Sequence, residues 1–326
     1  MYKTFFNLRL NPFEISPDPH FFYPTPCHYE AIANLYHAIQ GRKGLVVITG
    51  EVGTGKTLLV RCLLEKLGKD NIRFAYVFNP ILGPLEFLRY VAADLGLPAG
   101  QNDKSDLLQR LNSFLIQRHQ QGQTAVLVLD EAHLLSSEVL EESRLLSNLE
   151  TTRGKLLQIA LVGQPELDGK LDSSEMRQLK QRIALRCTLK PLRWEDTKDY
   201  IQWRLRRAGA SATPAIFAEE SLRVIYEYSR GLPRLINTIC ENALISGFAA
   251  GTRSIPPSLV EEACADLRIT PATPVSNDEQ ASFETVEKPL DQSDRAPLDA
   301  SVGSRERLGQ QHKDKEGSEQ VLRESQ

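Results

Sequence analysis

A glycine-rich segment near residue 50 has the spacing of a phosphate-binding loop. It fits the pattern G-x-x-x-x-G-K-[ST] and runs Gly50, Glu51, Val52, Gly53, Thr54, Gly55, Lys56, Thr57, with Leu58 directly after it. Glycines let the backbone N–H groups of such a loop turn toward phosphate oxygens, and the start of the following helix adds a positive potential. We therefore expect this segment to bind a nucleotide, with Lys56 reaching its β- and γ-phosphates and Thr57 ligating Mg²⁺.

Two adjacent acids follow an apolar run later in the chain. Asp130 and Glu131 come directly after Ala125–Leu129, a segment typical of a buried strand. In open α/β sheets, ligands bind beyond the carboxyl ends of the strands. We expect Asp130 to hold Mg²⁺ through water and Glu131 to orient and polarise an attacking water molecule. For His133, two residues further on, a structural role is favoured over a catalytic one.

Three more polar residues occupy positions from which a γ-phosphate could be contacted. Gln164 closes a strand-like run and is predicted to sense that phosphate and help to position water. Asn79 ends another strand-like run and could contact Glu131 and restrain it in the absence of nucleotide, although a role in a cap or turn is favoured for Asn79. Arg234 follows Pro233, a residue suited to the first turn of a helix, and would project back toward the nucleotide.

Three arginines crowd the segment before the last predicted strand. They are Arg177, Arg182 and Arg186. In ring-forming ATPases an arginine at such a place acts in trans, on the γ-phosphate bound by the neighbouring subunit, where it stabilises the charge of the transition state. We favour Arg182 for this catalytic role, and the choice among the three stays open.

Hydrophobic patterning places these residues in an α/β fold. Five short runs rich in β-branched residues predict parallel strands at Leu45–Thr49, Phe74–Phe78, Ala125–Leu129, Gln158–Gly163 and Ile183–Leu189. Helical patterns lie between them, at about 84–95, 104–119 and 136–149, which indicates a doubly wound parallel sheet of the P-loop NTPase type. Beyond Pro191 only helical patterns occur, at about 195–208, 217–229, 233–248 and 257–267. The predicted organisation is a non-helical arm rich in Pro and aromatic residues (1–27), a P-loop domain (28–190), an all-α lid (191–269) and a tail (270–326).

The charge of the chain is unevenly distributed. The formal net charge is −3, but residues 270–326 hold 12 Asp and Glu against seven Lys and Arg, which leaves residues 1–269 close to neutral. A tail so acidic and so poor in apolar residues is predicted to be disordered. The sequence has no apolar run of membrane-spanning length and begins without the hydrophobic region of a signal peptide, and its five cysteines lack metal-site spacing. We expect a cytoplasmic protein with reduced thiols.

Taken together, these motifs make residues 1–269 similar to the AAA+ ATPases, and specifically to the general secretion pathway protein A group. Pilus-biogenesis and transposition helper ATPases are related to that group. The resemblance rests on Asn11-Pro12-Phe13, Pro17-Asp18-Pro19, Gly50–Thr57, Asp130-Glu131-Ala132-His133, Gly163-Gln164-Pro165-Glu166-Leu167, Gln181-Arg182-Ile183 and Gly231-Leu232-Pro233-Arg234.

The resemblance implies a role for each matching residue. Lys56 and Thr57 correspond to the Walker A motif, and Asp130 and Glu131 to the Walker B motif. Gln164 would be sensor 1 and Arg234 sensor 2, with ATP and Mg²⁺ as cofactors. The secretion ATPases continue through a membrane helix into a peptidoglycan-binding domain that this sequence lacks, so peptidoglycan binding is not carried over and a membrane contact would require a partner.

Three functions follow as hypotheses. The favoured one is an ATPase that forms ATP-dependent homo-oligomers and drives envelope assembly (secretion, pilus formation or polysaccharide export), reaching the inner membrane through another protein. The second is an ATP-dependent regulator that binds DNA, as transposition helpers do. The third is a nucleotide switch without turnover, which Glu131 disfavours because a switch has no need of a water-polarising acid. A helicase is excluded because only some 80 helical residues follow the P-loop domain.

Overall fold

Seven strands, twelve α-helices and two single-turn 3-10 helices lie in the described part of the chain. The computed structural model describes residues 2–68, 72–78, 81–98, 103–152, 154–210 and 215–271. The strands are β1 (Leu45–Gly50), β2 (Ile72–Val77), β3 (Thr124–Leu129), β4 (Glu150–Thr151), β5 (Gly154–Lys155), β6 (Leu157–Gly163) and β7 (Ile183–Leu189). The helices are α1 (Tyr2–Phe5), α2 (Pro26–Gln40), α3 (Lys56–Gly68), α4 (Pro84–Asp94), α5 (Lys104–Gln120), α6 (Ser137–Leu146), α7 (Glu166–Leu171), α8 (Arg177–Lys180), α9 (Trp194–Arg207), α10 (Glu219–Ser229), α11 (Pro233–Ala249) and α12 (Pro257–Asp266).

Five of the strands form one parallel sheet in the order β2-β3-β6-β1-β7. Strands β1, β3 and β6 are buried along their whole length. Such continuous apolar runs are stable only where helices cover both faces of a sheet, and that is the arrangement here. The predicted doubly wound, five-stranded sheet is therefore confirmed.

Each face of the sheet has its own hydrophobic cluster. On one face, helices α4, α5 and α6 pack over the sheet through residues such as Phe87, Leu111 and Leu140. On the other face, α2 and α3 pack through residues such as Leu35 and Leu59. Parallel strands have their carboxyl ends at one edge, so Gly50, Leu129 and Gly163 end at the same edge of the sheet.

Helices α9 to α12 enclose a third cluster, and the first residues of the chain complete it. Phe6, Phe13 and Phe21 are buried among the residues of these helices. The guanidinium of Arg204, which is only 4% exposed, donates to the carbonyl oxygens of Pro12 and Glu14. The arm is thus a structural part of the helical region.

Some local predictions differ from the structure. Residues 1–27 were expected to be non-helical, and this is wrong for Tyr2–Phe5, which form one helical turn on which Phe5 packs against Phe248. The sequence patterns also missed α7, α8 and the small β4–β5 hairpin, whose elements are too short to show a periodicity. The predicted domain boundaries stay predictions, and the acidic tail from residue 272 lies outside the described residues. In the part of the chain that is described, no helix has the length and apolar character needed to cross a bilayer.

Candidate nucleotide site

The phosphate-loop segment connects β1 to α3 and has the backbone shape that its glycines allow. Gly53 and Gly55 adopt φ values of +84° and +93°, in the left-handed region that favours glycine. Thr54 closes the loop from inside, because its hydroxyl and its N–H both donate to the Glu51 carbonyl, over 2.8 and 3.3 Å. The loop closed in this way continues directly into the first turn of α3. The N–H groups of that turn have no partner within the helix.

Lys56 lies inside this loop. Its ammonium group donates to the carbonyl oxygens of Gly50 and Glu51, over 2.7 and 2.9 Å, and the residue is only 7% exposed. Burial lowers the pKa of Lys56, whereas nearby carboxylates, first among them Glu131, act in the opposite direction. Lys56 forms no ion pair with any described residue. A buried ammonium bonded only to carbonyls fits an anionic phosphate as its further partner.

Asp130 is the most highly connected polar residue of the site. One carboxylate oxygen, Oδ2, accepts the hydroxyl of Thr57 at 3.0 Å and that of Tyr76 at 2.5 Å, and the other, Oδ1, accepts the Glu131 N–H at 2.9 Å. Asp130 is 8% exposed, so these donors supply the hydrogen bonds that a buried carboxylate needs. A carboxylate beside a threonine hydroxyl supplies the oxygen ligands that Mg²⁺ prefers. The residues present thus fit a magnesium ion.

Glu131 has the backbone of a constrained residue. Its φ of 51° and ψ of 37° are left-handed, a conformation that is uncommon for a residue with a side chain. Its Oε2 atom lies 3.5 Å from Nδ1 of His133 and has no hydrogen-bond partner among the described residues. A carboxylate oxygen without a protein partner at this edge of the sheet can accept a hydrogen bond from a water molecule.

His133 lies between two of the predicted site residues. Its Nδ1 atom faces Glu131 and accepts the backbone N–H of Gln164 at 3.4 Å. This contact involves the backbone of Gln164, and its half-buried side chain forms no hydrogen bond within the described ranges. The structure therefore brings Gln164 beside Glu131 through His133. Asn79 lies outside the described residues.

Arg234 reaches the site from the helical region. The N–H of Arg234, in the first turn of α11, donates to the Gly53 carbonyl at 3.2 Å. A Cβ atom at Gly53 would lie 2.8 Å from Cβ of Arg234, so this contact requires glycine. The guanidinium of Arg234 is exposed and has no bonded partner among the residues described. It is free to contact an anion bound in the loop.

The three candidate finger arginines differ in their surroundings. Arg186 donates to Asp168 at 2.8 Å and to Asp172 at 3.3 Å, so it already has carboxylate partners in its own chain. Arg177 and Arg182 form no ion pair within the described part of the chain. Arg182 precedes β7 at the amino-terminal edge of the sheet, where Ile183 pairs with Leu45. At about 3.3 Å per residue, the far end of that strand is about 20 Å away.

Two residues of the site were missed by the sequence patterns. Burial, followed by the hydrogen bond to Asp130, raises the pKa of Tyr76, so its hydroxyl is protonated and donates. The other is His28, whose Nδ1 atom lies 2.6 Å from the hydroxyl of Thr25 and whose ring also hydrogen-bonds the backbone of Thr54. A Thr three residues before a His at the start of a helix was the available signal for His28, since Thr25 caps α2.

Comparisons with known proteins agree with this architecture. Residues 39–171 match the family described as AAA domain. The chain is 42% identical over 256 residues to general secretion pathway protein A of Aeromonas hydrophila, which covers 78% of this chain and 46% of that protein. It is 28% identical over 160 residues to the ATP-dependent target DNA activator B of Escherichia phage Mu, or 48% of this chain and 47% of the activator. This chain therefore spans just under half the length of either relative.

Solved structures show the same fold at low sequence identity. The Aeropyrum pernix ORC2 protein, determined in ADPNP–ADP complexes, superposes with a TM-score of 0.58 at 18% identity. The match covers 76% of this chain and 71% of that one. At this identity the likeness concerns the fold alone.

The contact between His28 and the loop generates a prediction about pH. Burial lowers the pKa of His28, which means that the folded protein favours the neutral ring. As the pH falls through about 6.5, the unfolded chain takes up a proton that the folded chain resists, so the free energy of unfolding decreases. His28→Gln should weaken folding by about 1 kcal/mol at neutral pH through the lost hydrogen bonds, and should flatten this decrease. Urea unfolding at several pH values measures both effects.

His37 provides the matched control, because it lies on the same helix and is exposed. His37→Gln should keep the pH dependence of the unsubstituted protein. An equal flattening in both variants would contradict the special role of His28.

Proposed function

We propose, because residues 39–171 match the AAA domain family and the chain resembles general secretion pathway protein A, that it is an AAA+ ATPase that binds ATP with Mg²⁺ and hydrolyses it to ADP and phosphate. One observation supports this above the others. Thr57 is hydrogen-bonded to Asp130 at the carboxyl edge of the sheet, with Glu131 next to Asp130 and the ammonium of Lys56 held in the adjoining loop. This combination of cation, hydroxyl and two acids is what cleavage of a phosphoanhydride requires.

Each residue of the chain would have a distinct part in the reaction. The loop N–H groups and Lys56 would hold the β- and γ-phosphates, with Lys56 exchanging its bonds to Gly50 and Glu51 for phosphate oxygens. Thr57 and Asp130 would hold Mg²⁺, which supplies charge neutralisation at the β- and γ-oxygens when bound. Glu131 would orient a water molecule for attack on the γ-phosphorus while the bond to the ADP oxygen breaks.

Gln164 and Arg234 would respond to the state of the nucleotide. Gln164 is next to His133 and so adjoins the water-orienting carboxylate. Arg234 begins the helix that contacts the loop, so a guanidinium–phosphate bond there would draw the helical region toward the nucleotide. Binding of ATP would in this way change the position of helices α9 to α12 relative to the sheet.

Hydrolysis would need a second subunit. Arg182 is separated from its own loop by the length of β7, so it can reach a γ-phosphate only if that phosphate is bound by another copy of the chain. An ATP-dependent homo-oligomer would place it there. The proposed cycle is therefore assembly on ATP, cleavage between subunits and release.

An envelope-assembly system is the favoured setting. A relative that is 42% identical is named for the general secretion pathway. We propose a cytoplasmic ATPase that acts on an inner-membrane or envelope protein and is brought to the membrane by that partner. Secretion, pilus formation and polysaccharide export all fit this description.

A DNA-bound regulator is the alternative, and the likeness to the phage Mu activator favours it. In that case basic side chains on one face of an oligomer would neutralise DNA phosphates. Such binding releases counterions and weakens steeply as salt concentration rises.

The role of Glu131 is tested by a substitution that removes its charge and keeps its shape. Glu131→Gln should bind ATP within about twofold of the unsubstituted affinity and lose at least about 100-fold in turnover, since the amide cannot act as a base. Steady-state phosphate release and nucleotide titration measure the two quantities. Glu138→Gln, an exposed site on α6, should be unaffected. Survival of turnover in Glu131→Gln would refute the site assignment.

The trans role of Arg182 is tested by mixing variants. Arg182→Ala alone should lose at least about 1,000-fold in turnover, because the finger acts on transition-state charge. Mixing it with Glu131→Gln should restore part of the turnover, since the second variant supplies an arginine to a site with an intact Glu131. Arg177→Ala and Arg186→Ala serve as comparisons. If Arg182→Ala turns over normally while one of these does not, that other residue is the finger.

The effect of duplex DNA on ATP turnover distinguishes the envelope-assembly proposal from the DNA-regulator proposal. The envelope proposal predicts the same ATP turnover with and without duplex DNA, and no DNA binding that depends strongly on salt. Turnover stimulated by DNA, together with an affinity that falls as salt is raised from about 50 to about 200 mM, would favour the regulator instead.

A further inference from the structure

Tyr76 connects the sheet edge to the acid that would hold the metal ion. It lies on β2, the outermost strand on its side of the sheet, and pairs in register with Val128, two residues before Asp130. From there its hydroxyl reaches Oδ2 of Asp130 at 2.5 Å. Sequence motifs assign nothing to this residue, and the reaction outlined above does not use it.

The ring of Tyr76 is held in place by its surroundings. It packs against the hydrophobic cluster of α2 and α3, and its outer face lines a groove together with Pro19, Arg61, Leu64, Glu65 and Phe74. The backbone N–H of Tyr76 donates to Asp94 at 2.6 Å, which fixes the strand at this point. A ring packed in this way leaves its hydroxyl little freedom, so the direction of the bond to Asp130 is set by the fold.

Asp130 depends on that bond for its orientation. Its Oδ1 atom accepts the neighbouring Glu131 N–H, and Oδ2 accepts two hydroxyls. One of those hydroxyls belongs to Thr57, which is itself a proposed metal ligand and so moves with the metal. Tyr76 is the donor to Oδ2 that stays with the sheet. Without it, the carboxylate would be oriented by Thr57 and a single local N–H.

We propose that Tyr76 is a positioning residue for magnesium: its hydroxyl holds the Asp130 carboxylate in the orientation in which it meets Thr57 and the metal-bound water. The inference rests on the proposed function, because it needs Asp130 to be part of the magnesium site. Groups that orient metal ligands in this way commonly change metal affinity 10- to 100-fold when they are removed. The effect concerns the metal, and the phosphate loop itself is unchanged.

The experiment measures binding, without turnover. A methylanthraniloyl derivative of a non-hydrolysable ATP analogue is titrated onto the full chain, first in EDTA and then at increasing Mg²⁺ concentrations. Tyr76→Phe removes one oxygen and keeps the ring. It should raise the Mg²⁺ concentration for half-maximal binding about 10-fold and leave the affinity in EDTA unchanged.

Tyr90→Phe is the matched control. Tyr90 packs against Phe78 on the other side of the same strand end and does not contact Asp130. It should behave like the unsubstituted chain in both titrations. If Tyr76→Phe folds poorly, Tyr76→Met fills the groove without a hydroxyl and should show the same dependence on Mg²⁺.

The possible outcomes distinguish a failure of the role of Tyr76 from a failure of the proposed nucleotide binding. Half-saturation by Mg²⁺ within about twofold of the unsubstituted chain would overturn the role of Tyr76, given the effect expected of such partners. A loss of affinity that is equal with and without Mg²⁺ would overturn it as well, because Tyr76 would then act on the fold or the loop. If the unsubstituted chain binds no nucleotide, the proposed function itself fails.

A double-substitution cycle shows whether the effect passes through Asp130. At a fixed Mg²⁺ concentration, Tyr76→Phe should lower nucleotide affinity in the unsubstituted chain and have no further effect in Asp130→Ala, since the oxygen it orients is gone. Additive losses in the two variants would overturn the proposal.

Discussion

The contact between Gly53 and Arg234 is the constraint on which the arrangement of the site depends. A backbone N–H at the start of α11 is satisfied by a loop carbonyl, and no side chain caps this helix. The missing Cβ of Gly53 is what lets the two backbones approach so closely. Gly231 makes a still closer approach to Leu192, whose carbonyl oxygen would lie 1.9 Å from a Cβ atom at Gly231, and this fixes the turn before α11. A phosphate that reshapes the loop must therefore move the helix.

The amino-terminal arm provides a second set of contacts between the helical region and the phosphate loop. Its rings complete the core of the helical part, and the buried guanidinium of Arg204 holds its backbone there. Where the arm leads into α2, Thr25 bonds to His28, and the ring of His28 contacts the backbone of Thr54 in the loop. Two separate connections from the helical region thus converge on residues 53 and 54. Motions of the helical region and of the loop are coupled by contacts as well as by chain continuity.

The sequence predicted those parts of the fold and of the site that depend on residues close together in the chain. A phosphate loop is a contiguous pattern, and strand ends can be located from apolar runs, so the five strands of the sheet were found. Tyr76 and Asp130 are 54 residues apart, and Arg204 and Pro12 are 192 apart, so no local pattern joins them. The same holds for Arg186, whose partners become visible only when α7 folds against β7. Long-range pairs of this kind require the tertiary structure.

The distribution of charge in the site favours a nucleotide that arrives with its metal ion. Asp130, Glu131 and Glu51 lie near a single buried ammonium, that of Lys56, and all three oppose the lowering of its pKa by burial. A polyphosphate entering alone would meet an excess of negative charge in a region of low dielectric constant, where repulsion is strong. A divalent cation held by Thr57 and Asp130 would remove that repulsion, and the exposed guanidinium of Arg234 would add a second positive charge. In the proposed reaction, the acids needed for cleavage would thus create the need for the cation, and the orientation of Asp130 toward it would matter to nucleotide binding together with the loop.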